Sequence, residues 1–229
     1  MTKLVRVIDM RRCMGCRACI AACHVENYFT PGSPWNVMLE HEVGTYPNVR
    51  TVFATMNCMH CEDPPCKTVC DTIKVYAISK NELGVVLIDY DKCIGCQYCY
   101  TVCPYGVPQY NEKVNSLYPD KQATPYESID TDQRHPTHRK KAGVVEKCTF
   151  CWHKLEKAIA AGKTERIGKD PEYTPSCDLV CPVNARLFGD LEDSDGPVAR
   201  YIGKKKATQL KKEYGTRPQV YYVTEGGDY

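Results

Sequence analysis

Short apolar segments predict the strands of this chain. Residues 3–9 form one such segment directly before the first cysteine-rich stretch, and residues 84–89 form another directly before a later one. Residues 37–44 and 49–56 flank the turn Gly-Thr-Tyr-Pro-Asn at 44–48 and predict a hairpin. The predicted strands therefore include two that lead into cysteine-rich stretches.

Helices are predicted beside the cysteine-rich stretches and near the C-terminus. A short helix should follow each stretch, for instance at residues 17–27, and longer polar-apolar patterns predict helices at 153–161 and 199–212. Residues 220–223 predict a late strand. The fold class expected from this pattern is α+β.

The longest apolar runs are far shorter than the roughly 20 residues that span a bilayer. The first ten residues also lack the apolar region of a secretory signal. We therefore expect no membrane span and no export signal in this sequence.

Sixteen cysteines, about 7% of 229 residues, dominate the chemistry of the chain. The chain is too long for a small disulfide-stapled domain. The cysteines fall into four sets with none left over. The sets are Cys13, Cys16, Cys19 and Cys23; Cys58, Cys61, Cys66 and Cys70; Cys93, Cys96, Cys99 and Cys103; and Cys148, Cys151, Cys177 and Cys181.

The spacing within the sets is typical of [4Fe-4S] ligation. The first and third sets follow C-x2-C-x2-C-x3-C, which brings three thiolates around one cubane. In two-cluster ferredoxins the fourth cysteine of this run ligates the neighbouring cluster. The sets are therefore predicted to work in crossed pairs, and sixteen thiolates at four per cluster predict four [4Fe-4S] clusters.

Two other uses of cysteine fit less well. Zinc sites use two C-x2-C pairs with a longer interval between them, not continuous C-x2-C-x2-C runs. Disulfides need an oxidising compartment and would leave the tight repeats without a purpose. A zinc-stabilised interaction module stays as a remote alternative.

Charge gives little support to nucleic-acid binding. Lys and Arg number 30 against 28 Asp and Glu, a formal net charge of +2. Ionised thiols and four oxidised cubane cores of about +2 each would bring the holo protein to about −6. Excess Lys and Arg are then partly counter-charge for the clusters, and His24, His60 and His153, which flank ligand cysteines, are candidates to hydrogen-bond cluster sulfur.

Five stretches carry a resemblance to a known family. They are Cys58-Met-His-Cys-Glu-Asp-Pro-Pro-Cys66, Cys93-Ile-Gly-Cys-Gln-Tyr-Cys99, Cys103-Pro-Tyr-Gly-Val-Pro-Gln-Tyr-Asn111, Lys147-Cys-Thr-Phe-Cys151 and Phe188-Gly-Asp-Leu-Glu-Asp193. With the four sets in this order, the chain resembles the four-cluster iron-sulfur subunits of molybdopterin oxidoreductases of the dimethyl sulfoxide reductase family. Polysulfide, thiosulfate, dimethyl sulfoxide and arsenate reductases have such subunits, and the resemblance covers nearly the whole chain.

The resemblance implies a pairing of the sets, the first with the fourth and the second with the third. Cys96 stands where nitrate reductase-type subunits have Trp and a three-iron cluster, so four cubanes are expected. The implied ligands are Cys13, Cys16, Cys19 and Cys181 for site 1; Cys148, Cys151, Cys177 and Cys23 for site 2; Cys58, Cys61, Cys66 and Cys103 for site 3; and Cys93, Cys96, Cys99 and Cys70 for site 4.

The predicted organisation is two ferredoxin-like modules, each holding two clusters. One module spans residues 1–36 and 142–190, and the other spans 37–111. Residues 112–141 are predicted to be an inserted docking loop, and 191–229 a C-terminal helix-strand extension. A second polar insertion lies at about residues 160–175, and we favour docking over disorder for both insertions.

No substrate chemistry is visible in the sequence, since it has no nucleotide-phosphate loop and no flavin fingerprint. We therefore predict a non-catalytic subunit without a small-molecule substrate of its own. By resemblance, it carries single electrons between a molybdopterin (Mo or W) catalytic subunit near site 1 and a quinone-reactive membrane subunit near site 4. A free-standing polyferredoxin is the main alternative.

The implied location is peripheral, on the cytoplasmic membrane through partner subunits. The periplasmic side, reached by export together with a signal-bearing partner, is favoured, and the cytoplasmic side is the alternative.

Overall fold

In the computed structural model, which describes residues 2–29, 31–114, 133–139 and 141–224, the largest sheet has four strands. They are β1 (Leu4–Asp9), β8 (Arg186–Asp190), β9 (Thr208–Gln209) and β10 (Val220–Val223), in the order β8-β1-β10-β9. β1 is parallel to β10 and antiparallel to β8. The predicted strands at 3–9 and 220–223 are confirmed, and the last one lies beside the first.

Both faces of β1 are covered, and all six of its residues are buried. Val5 and Val7 pack on one side in a small core that includes residues near the C-terminus. Leu4 and Ile8 point to the other side, into the main core. Because side chains alternate along a strand, Arg6 shares the face of Leu4 and Ile8 and is fully buried there. A charged residue thus enters the main core from the middle of an apolar strand.

The predicted hairpin is confirmed. β2 (Asn36–Thr45) and β3 (Asn48–Asn57) pair in register from Asn36 opposite Asn57 to Thr45 opposite Asn48. The half near the turn is largely exposed on both faces, and Tyr46 at the tip is 88% exposed. The hairpin is held at its open end and in its middle, where Glu40 pairs with Arg17 and Phe53 lies against Gly15.

Two smaller sheets support the cysteine-rich loops between them. β4 (Ile78–Lys80) pairs with β5 (Val86–Ile88), which confirms the strand predicted at 84–89 in a shorter form. β6 (Gln109–Asn111) pairs with β7 (Val144–Glu146). Residues of β4, β5 and β7 form a second core together with Cys70 and Cys99.

Six α-helices occur in the described residues, and the helices predicted at 17–27 and 153–161 are confirmed. The six are α1 (Ala18–Asn27), α2 (Pro65–Thr72), α3 (Tyr98–Thr101), α4 (Trp152–Ala160), α5 (Ser176–Leu179) and α6 (Pro197–Lys205). Within this part of the chain, none of them is both long and apolar enough to cross a membrane.

The helix predicted at 199–212 is wrong at its C-terminal end. α6 begins at Pro197, whose fixed φ suits the first helical turn, and ends at Lys205. Lys206 takes a left-handed conformation with φ 51°, and the Ala207 amide then bonds back to the Ile202 carbonyl. Thr208–Gln209 pair with β10 instead, so a long-range strand contact overrides the local helical pattern.

The two predicted insertions are described to different extents. Residues 115–132, most of the predicted docking loop, lie outside the described residues. The insertion at 160–175 forms two 3-10 turns, Thr164–Arg166 and Pro171–Tyr173, that contact α4. Ile167 and Tyr173 are buried in the main core, so this insertion belongs to the fold.

The structure confirms a mixed fold of short helices and small sheets. Much of its buried apolar surface comes from cysteines, which occur in both the main and the second core. The domain boundaries predicted above stay predictions.

Candidate metal centres

All sixteen cysteines are described, and all are free thiols. Each set contains one pair of cysteines four residues apart at a helix, a spacing that brings both to the same side of the helix. The pairs are Cys19 and Cys23 at α1, Cys66 and Cys70 at α2, Cys99 and Cys103 at α3, and Cys177 and Cys181 at α5. α1 packs against α5 and α2 packs against α3, so pairs from different sets meet.

Proline decides where two of these helices end. Pro104 and Pro182 follow Cys103 and Cys181, and there the helices end before the cysteine. Cys70 has no proline after it and lies inside α2, which continues to Thr72. Without a proline there, the helix is longer and the thiol of Cys70 stays on it.

Site 1 is a cavity between the first loop and the end of the fourth set. Its empty volume is about 350 Å³, part of it open to solvent. Its lining includes Ile8, Met38, Arg186 and the four thiols of Cys13, Cys16, Cys19 and Cys181.

Site 4 is a second cavity of the same empty volume, about 350 Å³. Apolar side chains of α2, β4, β5 and β7 surround it. Its four thiols are those of Cys70, Cys93, Cys96 and Cys99.

The four cysteines of site 2, which are Cys23, Cys148, Cys151 and Cys177, are all buried. Burial raises the pKa of the Cys23 thiol well above its usual range, and the thiols of Cys177, Cys148 and Cys151 raise it further. The Asn27 amide nitrogen lies 3.5 Å from Cys23 Sγ and 3.7 Å from Cys151 Sγ. Four thiols from the first and fourth sets are therefore neighbours.

Burial also raises the pKa of thiols at site 3, where Cys58 and Cys61 are buried and Cys66 and Cys103 are partly exposed. Burial raises the pKa of Cys61 to about 12, with contributions from the thiols of Cys58 and Cys103. Burial, and then Cys58, Cys103 and Cys61, raise the pKa of Cys66 to about 12. The thiol of Cys103, from the third set, thus contributes to the raised pKa of Cys61 and Cys66 in the second set.

The four sites follow one another through the molecule. α1 carries ligands of sites 1 and 2, and α2 carries ligands of sites 3 and 4. α5 carries Cys177 of site 2 with Cys181 of site 1 just after it, and α3 carries Cys99 of site 4 with Cys103 of site 3 just after it. Sites 2 and 3 meet at Cys58 and Cys148, since burial raises the pKa of the Cys58 thiol and the Cys148 thiol raises it further. The Asn57 amide nitrogen lies 3.9 Å from Cys148 Sγ. The order is therefore site 1, site 2, site 3, site 4.

Solvent reaches the two ends of this series most readily. Cys16 in site 1 and Cys96 in site 4 are the two exposed cysteines of the sixteen. Each follows a glycine in the same loop conformation, with φ 71° at Gly15 and 69° at Gly95. The two loops repeat one backbone design at opposite ends of the series.

Gly95 is required for a close approach as well as for its backbone conformation. A Cβ atom at this residue would lie 2.2 Å from the Gly143 carbonyl oxygen. Gly162 also has a positive φ, of 63°, but a Cβ there would meet nothing within 4 Å.

We therefore expect Gly95→Ala to displace the site 4 loop and to destabilise the protein by about 3 kcal/mol. Gly162→Ala, the matched control, should cost about 1 kcal/mol for its backbone alone. Thermal unfolding and bound iron measure both effects. Equal losses in the two variants would contradict the close contact.

Comparisons with known proteins agree with the site chemistry. The family described as "4Fe-4S dicluster domain" matches residues 49–121. A subunit of the selenate reductase of Mesobacillus selenatarsenatis is 36% identical over 225 residues, 96% of this chain and 71% of that protein. The arsenate respiratory reductase iron-sulfur subunit of Shewanella sp. strain ANA-3 is 35% identical over 246 residues, 98% of this chain and 97% of that protein. The chain belongs to the iron-sulfur subunits of molybdopterin reductases.

This iron-sulfur subunit transfers electrons and is not the catalytic subunit of its complex. A further relative is the iron-sulfur cluster-binding subunit of menaquinone reductase from Nitratidesulfovibrio vulgaris. It is 34% identical over 236 residues, 95% of this chain and 87% of that protein.

The residues present fit iron-sulfur clusters. Cavities lined by four thiols, at sites 1 and 4, match the donor set of a cubane. Within the described ranges, no three His, Cys, Asp or Glu side chains converge on a single metal ion. At site 2, Arg6 Nη1 is buried with no acceptor among the described residues, and cluster sulfide is an acceptor of the kind it lacks.

Burial makes ligand thiols of this subunit hard to ionise in the absence of a metal. Burial raises the pKa of Cys99 to about 11 and that of Cys177 to about 11. Ligation needs thiolates, so the positive charge of iron must overcome both burial and the repulsion between neighbouring sulfurs. The ligand sets are therefore built for a charged metal cluster.

Hydrogen bonds to the ligand sulfurs come from groups that the sequence did not single out. Backbone amides donate to Cys58, Cys70, Cys148 and Cys181 at 3.2–3.5 Å. At Cys177 the donors are two guanidinium groups.

Two of the three histidines predicted to be donors have a partner at one ring nitrogen, while His60 Nε2 and His153 Nδ1 are buried with no partner among the described residues, so the prediction stays open. His153 Nε2 pairs with Glu26 at 2.6 Å, and His60 Nδ1 accepts the Val86 amide at 3.0 Å. The sequence did carry one signal for a guanidinium donor, since the charged Arg6 lies in the mainly apolar segment Leu-Val-Arg-Val-Ile-Asp.

Proposed function

We propose that this subunit holds four [4Fe-4S] clusters in two crossed ferredoxin-like pairs and carries single electrons along them. When bound, the clusters supply one-electron oxidation and reduction. The ligands would be the four quartets defined above for sites 1 to 4. The observation that carries the proposal is the continuous series of four thiol quartets whose only exposed cysteines, Cys16 and Cys96, lie at its two ends.

Two ferredoxin-like modules are supported by the packing of the short helices. α1 with α5 frames sites 1 and 2, and α2 with α3 frames sites 3 and 4. The glycine loops at Gly15 and Gly95 repeat the same conformation in the two halves. Each half thus has the helix pair and loop of a two-cluster unit.

We place a molybdopterin catalytic subunit at the site 1 end and a quinone-linked membrane subunit at the site 4 end. The surface around Cys96 carries exposed apolar and aromatic side chains, including Ile94, Tyr98 and Tyr100, which suit a protein interface. The surface around Cys16 carries Met14 and the exposed Arg17. The menaquinone reductase relative supports a quinone-linked partner.

The relatives are subunits of reductase complexes, which favours an assembled subunit over a free-standing polyferredoxin. We propose a peripheral position on the membrane, held by the partner subunits, on the periplasmic side through co-export. The cytoplasmic side is the alternative. Protease digestion of this subunit in spheroplasts, compared with inside-out vesicles, distinguishes the two sides.

Anaerobic purification of the native complex, followed by metal analysis, tests the proposal. We expect about sixteen iron per chain of this subunit, beyond the iron of its partners, in a complex with a large subunit that contains molybdenum or tungsten. Sixteen iron on a chain that purifies without partners would show a free-standing polyferredoxin and overturn the proposed complex. Zinc without iron would overturn the proposed clusters.

A further inference from the structure

A buried triad of charged side chains lies beside site 2. Arg6 Nη2 and Nε donate to the two Asp178 oxygens at 2.7 and 3.0 Å, and Arg186 Nε donates to Asp178 Oδ1 at 3.0 Å. The three side chains are 0–3% exposed. One carboxylate against two guanidiniums leaves one net positive charge, shielded from water.

Both guanidiniums also contact a ligand of site 2. Arg6 Nη2 lies 3.3 Å and Arg186 Nη2 3.5 Å from Cys177 Sγ. The guanidinium of Arg186 lines the cavity of site 1, where its charge opposes the rise in the pKa of Cys19 that burial causes. The triad therefore lies between sites 1 and 2.

Stability alone is a weak reason for such a triad. Removing charged groups from water costs several kcal/mol per ion, and apolar replacements of buried ion triads are often neutral or stabilising. Apart from Asp9 at its end, the strand β1 is otherwise apolar, and the buried charge of Arg6 lies in its middle. A ligand set that carries negative charge gives the extra cation a partner.

Site 4 has no comparable charge. Its cavity is lined, among the described residues, by cysteines, apolar side chains, Gln97 and Tyr98, and by no charged group. The thiol of Cys99 is affected by burial and by its fellow cysteines. The two ends of the series thus differ in the charge that surrounds the ligands.

Reduction adds one negative charge to a cluster, so a buried positive charge favours the reduced form. We propose that Arg6 and Arg186, partly neutralised by Asp178, raise the reduction potential of the cluster at site 2. This inference rests on the proposed clusters.

Variants of opposite charge test the inference. Potentials are measured by redox titration of the EPR signals in the purified complex, after Cys→Ser variants at Cys16, Cys151, Cys61 and Cys96 assign the signals to sites. Arg186→Gln should lower the reduced-to-oxidised ratio of site 2 at a fixed potential about tenfold, and Asp178→Asn should raise it about tenfold. Tenfold corresponds to about 59 mV for one electron.

The double variant Asp178→Asn, Arg186→Gln keeps the net charge and should restore the potential of the unchanged protein. Arg200→Gln is the matched control, because Arg200 is exposed on α6 and its charge is screened by water. It should change the ratio less than twofold.

A structural role alone would not give shifts of opposite sign. Shifts in the same direction, no shift in either single variant, or a double variant shifted as far as Arg186→Gln would each overturn the inference. If the single variants lose site 2 iron, the double variant decides. Loss of that iron in all three would also overturn it, because the triad would then serve assembly.

Failure of the proposed function would look different. The unchanged complex would then contain no iron beyond that of its partners and give no EPR signal that the four Cys→Ser variants remove. The other result is an unchanged complex with four assigned clusters, in which the site 2 potential does not shift in the charge variants. That result would refute this inference and leave the proposed function standing.

Discussion

Removal of iron should unfold most of this subunit. The main core includes Cys23, Cys58, Cys61 and Cys148, and the second core includes Cys70 and Cys99, so the ligands are also core residues. In the part of the chain that the structure describes, three of the four sheets have two strands, and isolated two-stranded sheets are marginal in water.

The thermodynamic scale supports a large effect. Structural zinc sites in small peptides contribute on the order of 10 kcal/mol of folding free energy, similar to the whole stability of a typical domain. Without iron, clustered thiols and the buried charges of Arg6, Asp178 and Arg186 face one another with no metal to balance them.

The measurement compares anaerobic holo protein with protein stripped of iron by chelation. We expect loss of near-UV circular dichroism and of hydrogen-exchange protection. Both should return after reconstitution with ferrous iron and sulfide, which is the control for chemical damage. Native-like protection in the stripped protein would contradict metal-dependent folding.

Cys103→Ser should damage site 3 and leave site 4 intact, although Cys103 belongs by sequence to the third set. The structure supports this crossing, because the Cys103 thiol acts on Cys61 and Cys66, while the site 4 cavity is lined by Cys70. The cluster signal lost or altered should be the one that a Cys61→Ser variant also removes.

Cys70→Ser is the matched control, since it removes the closing cysteine of the second set. It should affect the signal removed by Cys96→Ser and spare site 3. Iron analysis should show a loss of up to about four iron per chain in each variant. If each substitution instead damaged the site of its own sequence set, the crossed ligation would be wrong.

Local sequence pattern was sufficient for the elements beside the cysteines. The strands at Leu4–Asp9 and Val86–Ile88 and the hairpin follow from short apolar runs and turn residues, which act over a few positions. The cysteine spacing likewise predicted the ligand sets, because three ligands of a cubane can come from one tight loop.

Local sequence pattern did not predict contacts between residues that are distant in the sequence. Arg6 and Arg186 meet Asp178 only because β8 pairs with β1, and residues 208–209 leave the helical pattern to pair with β10. The partner of each closing cysteine came from a family resemblance, since spacing alone does not say which helices pack together.

The sheet order has a consequence for biosynthesis. β1 pairs with β8 and β10, and both of these partners are synthesised much later than β1, at residues 186–223. Residues 58–103, which contribute all eight cysteines of sites 3 and 4, are complete much earlier. β1 therefore still lacks its strand partners when all the cysteines of sites 3 and 4 have been synthesised.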